Sequence, residues 1–176
     1  MKYYYHFDFK TTDTEVYKTA FKNAVTLFTL CRKYFPTDFE LYGTDGTNKP
    51  IINNDTIQFN GDKSLNLDGT PFIIDISVNF GMTCETDNKP YDIAVCCALL
   101  CLKEMFGIEF NYDSDTNGMT NYDKCSKEEK KDFCFNENWE RALIIFKQAL
   151  NDMFIEEYHS EVFNKKLKYL PKKKVI

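Results

Sequence analysis

Residues 89–107, KPYDIAVCCALLCLKEMFG, constrain the fold more than any other stretch of the chain. Pro90 suits the start of a helix, where its fixed φ is pre-set and its missing N–H is no loss, and Gly107 suits the end. Between them apolar side chains face nearly every direction around the helix axis, leaving no side for water. Such a helix has to be covered twice, by a sheet and by another helix, so the chain must fold in layers.

The flanking sequence supplies those layers. In KYYYHFDFK, Tyr3, Tyr5, Phe7 and Phe9 alternate with Tyr4, His6 and Asp8, as a half-buried strand requires. Thr12 and Glu15 are spaced as a capping box before a helix that carries Tyr17, Ala20, Phe21, Ala24, Leu27, Phe28 and Cys31 at helical spacing, and Pro36 stops it. Further strands are read in DTIQFNG, PFIIDISV and GIEFNYD. A last helix from near Glu137 has a stripe of Trp139, Ala142, Leu143, Phe146, Ala149, Leu150, Met153 and Phe154. This order predicts an α+β class: a mainly antiparallel sheet of about four to five strands with about three helices packed on one face. Residues 1–158 are expected to form one such domain, with a basic tail over 159–176.

Charge is unevenly spread. The chain of 176 residues has a net charge of −5 from 22 basic and 27 acidic residues. Residues 159–176 hold six Lys and one Glu, which leaves 16 basic against 26 acidic in the rest, near −10. The tail, ending LPKKKVI, is of a kind that grips phosphate or an acidic partner, or stands solvated. No stretch approaches the length of a membrane span and the start lacks a signal-peptide pattern, so a cytoplasmic protein with no membrane partner is expected. The seven cysteines are odd in number and three crowd one helix, a poor disulfide framework; reduced thiols are expected.

The chain also carries a set of short motifs. Phe59, Asn60 and Gly61 end a strand, and Lys89, Pro90, Tyr91 and Asp92 start a helix; Ser114 and Asp115 then enter a turn, and Trp139 lies in a C-terminal helix. Over residues 43–154 this arrangement resembles an uncharacterised group of small phage and prophage proteins. Two departures stand out: the group's Cys-Lys-Thr-Ala-Arg lead is CETDN here, and its Asp-Gly turn is stretched to DSDTNGM. The resemblance implies a phage accessory protein working in the host cell cytoplasm, of a type that antagonises host antiviral defence.

No reaction is legible in the motifs themselves. Asp113, Asp115, Asn117 and Gly118 match the opening of a calcium loop, but Lys124 stands where the closing Glu belongs, so the stretch reads as a turn-rich loop. Cys97 and Cys101 lie one helical turn apart without a second ligand pair, and read as packing thiols. His6 and His159 have no nucleophile motif near them. Neither a cofactor nor a resident metal is expected. One enzymatic alternative is a metal-dependent phosphodiesterase or nuclease using His6, Asp8, Asp75 and Glu109, if strand polar faces align them.

The main expectation is a non-catalytic binding protein that sequesters a nucleotide signal or occupies a host defence protein; self-association stays open. Aromatic rings beside cationic side chains suit base stacking and phosphate contact, which nominates Lys89, Tyr91, Asp92, Asn60, Tyr4, Trp139 and Arg141. Within NKPYD, the first helical turn offers unpaired N–H groups to an anion, unless Asp92 caps them. Lys89 and Tyr91 are not needed for a cap, so replacing either by Ala is expected to leave the melting temperature nearly unchanged.

Overall fold

The computed structural model describes residues 4–9, 14–77, 82–114 and 137–168, with side chains over 5–9, 15–77, 82–113 and 137–155. Helix α2 (Asp92–Phe106) is covered as its composition demands: every residue from Asp92 to Leu102 is buried. Helices α1 (Thr14–Arg32) and α3 (Glu137–Lys168) both pack on it, and strand β6 (Phe110–Ser114) lies beneath. Each Leu, Ile or Val so enclosed contributes about 1.5–3 kcal/mol. Gly107 closes the helix at φ 54°, a conformation a side chain would resist, and its N–H donates to the Lys103 carbonyl.

The class is α+β, but the sheet is divided. Strand β1 (Tyr4–Phe9) lies between β5 (Met82–Glu85) and β6, antiparallel to both. A second antiparallel sheet is built from β2 (Ile51–Ile52), β3 (Thr56–Phe59) and β4 (Phe72–Asp75). Alternation prescribes the face that a side chain takes, not the edge that its strand pairs with, which is why the single sheet expected from sequence is two. A row of aromatic rings links the second sheet to α1 and to the first sheet: Phe59 stacks on Phe28 of α1 at 5.6 Å and on Phe72 at 5.0 Å, and Phe72 lies 5.1 Å from Phe7 of β1. One backbone bond adds to this, from Thr70 N–H to the Glu85 carbonyl at 3.0 Å.

β1 follows its sequence pattern. Tyr5 and Phe7 are buried, whereas His6 is exposed and stands opposite Thr83 and Asp113, both exposed as well. GIEFNYD is only partly a strand, because Gly107–Glu109 forms a 3-10 turn and pairing begins at Phe110. On α3, Trp139, Ala142, Phe146 and Ala149 are buried, but Phe154 is 61% exposed. It lies about 100° round the helix from Met153, past the edge of the core-facing stripe. α3 continues to Lys168, beyond the boundary at residue 158. Among the described residues no helix is long and apolar enough to cross a membrane.

Candidate functional site

The start of α2 is a lock, built from local turns and distant donors. Asp87 and Asn88 both take positive φ (51° and 58°), and Lys89 N–H closes the turn on the Thr86 carbonyl at 3.0 Å. Asp and Asn tolerate that backbone better than most residues. The turn aims Asp92 into the interior, where it is fully buried. Its Oδ1 accepts from the Tyr5 hydroxyl at 2.8 Å and from the Thr86 hydroxyl; its Oδ2 accepts from Asn138 Nδ2 at 2.9 Å and from the Cys96 thiol at 4.0 Å. One carboxylate thus ties β1, the turn, α2 and α3 together. Burial first, then the neighbouring Cys96 and Asp92, push the Tyr5 phenol far up; burial, then Asp92, does the same to the Cys96 thiol. Both therefore stay protonated, as donors to a buried carboxylate must.

Tyr91 and Lys89 are committed as well, contrary to their expected freedom. Tyr91 has no exposed surface, and its hydroxyl donates between the carbonyls of Thr70, at 3.0 Å, and Glu85, at 3.1 Å. The Lys89 ammonium donates to the Asp68 carbonyl. Asn60, nominated as a ligand contact, is buried: its Nδ2 donates to the carbonyls of Gly69 (2.9 Å) and Thr44 (3.2 Å), and its Oδ1 accepts from Gly61 N–H (2.8 Å) and Gly69 N–H (3.0 Å). All four hydrogen-bonding positions of that amide are taken. Gly61 follows because a Cβ there would overlap the Leu67 carbonyl. Trp139 is a core residue, stacked on Tyr112 at 5.7 Å, and its buried indole N–H has no partner among the described residues. Tyr4 pairs with Glu85 in the ladder; its side chain lies outside the described residues.

The structure therefore gathers Asn60, Tyr91, Asp92 and Trp139 into the interior and leaves Arg141 outside. Arg141 is exposed and bonds Glu137 one turn earlier. Both line a groove that opens beside the lock. Its two lobes, about 230 and 570 Å³, share Asp38, Phe39, Leu67 and Pro90. The smaller lobe adds Glu40, Tyr42, Asp62 and Leu65; the larger adds Ile93, Glu137, Asn138 and Arg141. Four carboxylates thus face one guanidinium, which Glu137 already holds. Phe39, Leu65, Leu67, Pro90 and Ile93 add apolar surface between the charges, and Phe39 is set in place edge-on to Phe35 at 5.4 Å.

Asp38, Glu40, Asp62 and Glu137 were not singled out in the sequence. A signal was there: in DFEL, Asp38 and Glu40 alternate with Phe39 and Leu41, as in a segment with one wet side. Asp62 is held below the usual carboxylate range by the Ser64 hydroxyl and amide, which bond it at 2.6 and 2.7 Å.

The proposed metal set does not assemble. His6 and Asp8 lie on β1, Asp75 on β4 of the other sheet, and Glu109 in the 3-10 turn. Among the described residues no group of three or more His, Cys, Asp or Glu side chains is placed to hold a metal ion. Asp75 is instead bonded by the Ser77 hydroxyl at 2.6 Å and the Ser77 amide at 2.8 Å. Cys97 and Cys101 are buried free thiols with Cys31, Cys84 and Cys96. The calcium-like stretch falls outside the described residues from Asp115 onward.

No protein-family model, curated protein or solved structure matches the chain.

Proposed function

We propose that this chain is a non-catalytic binding protein that acts by occupying a protein partner, with the groove beside α2 as its seat for a Lys- or Arg-bearing segment. The observation that carries this is the lining: Asp38, Glu40, Asp62 and Glu137 against Arg141 alone, with Phe39, Leu67 and Ile93 among them. Such a surface attracts cationic side chains and repels phosphate. Nucleotide sequestration has less support, because Tyr91 and Lys89, the ring and charge it depends on, are engaged with backbone carbonyls. The motif resemblance supports a phage accessory role, in which the partner is a host defence protein.

Fluorescence anisotropy with labelled Lys/Arg-rich peptides and with cyclic and linear nucleotides tests this. Peptides are expected to bind and to be released as ionic strength rises. Asp38→Lys with Glu40→Lys should weaken peptide binding by about tenfold or more, since like charges brought together cost several kcal/mol. A nucleotide that binds the parent, and binds no worse after charge reversal, would overturn the assignment.

A further inference from the structure

We infer that the groove also serves self-association: two copies pair their α3 helices antiparallel, and each seats the Lys172–Lys174 run of its partner. This rests on the groove's cation-accepting character and adds a particular occupant.

Two facts of chain geometry lead to a second copy. α3 begins at the groove, where Glu137, Asn138 and Arg141 line it, and ends at Lys168. At about 1.5 Å per residue, the two ends stand about 46 Å apart. Lys172 and Lys174 follow Lys168 by four and six residues, so even full extension carries them only about 20 Å from the helix end. Residues 169–176 lie outside the described residues, but covalent reach alone keeps this Lys run from its own groove. Laid antiparallel, two α3 helices place each helix's end beside the start of the other, and the reach then suffices in both directions at once. Such an exchange closes with two-fold symmetry, the commonest form of assembly.

Chemistry matches at both contacts. The run Leu170–Pro171–Lys172–Lys173–Lys174–Val175 sets three ammonium groups between apolar residues, as the groove sets carboxylates around Phe39, Leu67 and Ile93. Along α3 itself, Ile144 and Ile155 are 68% and 47% exposed. Eleven residues apart, they lie on one side of the helix, within about 20° of each other. Antiparallel pairing covers that strip.

Light scattering coupled to size exclusion at low ionic strength should give the full chain a mass near twice 20.7 kDa. Lys172→Glu, Lys173→Glu and Lys174→Glu together should yield a monomer. Adding Asp38→Lys, Glu40→Lys and Asp62→Lys to that variant should restore the dimer, which a merely unfolded tail would not do. Ile155→Asp should weaken pairing independently of salt. In the peptide assay, the tail-reversed variant should bind Lys-rich peptide several-fold tighter than the parent, because a built-in competitor is gone. A parent that is monomeric, or a dimer indifferent to both charge reversals, overturns the inference; if peptide still binds, the groove's role stands without it. Loss of both peptide binding and pairing in the parent removes both.

Discussion

Asp92 and Asp38 are the same residue type on either side of the Pro90 turn, and they are used in opposite ways. Asp92 is wholly buried and takes donors from Tyr5, Thr86, Asn138 and Cys96. Asp38, like Glu40, is exposed on the groove. A carboxylate enclosed among donors stabilises the arrangement of the chain around it, and its loss leaves those donors unpaired. A carboxylate at a wet rim adds little to stability but sets which partners can approach. The difference teaches that the motif residues most visible in the sequence hold the fold, while the surface suited to recognition lies next to them.

The sharpest way to break this contrast is Tyr91→Ala. Removing a fully buried ring should cost about 3–5 kcal/mol, seen as a lower urea midpoint; an unchanged midpoint would return Tyr91 to the surface role first expected of it. Asp92→Ala should cost about 3 kcal/mol, since several buried donors are orphaned together, whereas Asp92→Asn, which keeps the shape, should cost less. Smaller is the response to alkali. Burial, then Asp75, raises the Tyr17 phenol from 10.0 to about 12, and burial raises Tyr91 further. A folded-state pKa above the unfolded one stabilises fully below about pH 10 and is lost as pH rises past it. The thermal midpoint should thus fall above about pH 10, and Tyr17→Phe should flatten the slope. At the rim, Asp38→Lys and Glu40→Lys should each move stability by less than about 0.5 kcal/mol. A large loss there would make the groove part of the lock.

Particular residues show what could be foreseen. α2 was legible because Pro90, Gly107 and an all-round apolar helix lie in one short stretch, and each signal acts over a few residues. The faces of β1 were legible for the same reason: Tyr5 and Phe7 go in and His6 goes out. Of the nominated residues whose side chains are described, Arg141 lines the groove in the open, Lys89 is part-exposed, and Tyr91 borders the smaller lobe from the interior. Asn60, Tyr91 and Trp139 were misplaced because a ring or an amide reads alike whether it faces water or a carbonyl.

By itself the sequence determined the α+β class, the ends of α2 and the alternation of β1, because periodicity and helix punctuation are written in neighbouring residues. Tertiary structure alone decided the division into two sheets, the burial of Asp92 and the opening of the groove. The physical reason is range: Asp92 meets Tyr5 across 87 residues and Asn138 across 46, and the groove joins residues from four distant stretches. A polar side chain is driven inside only where such partners arrive to satisfy it, and that arrival belongs to the folded chain as a whole.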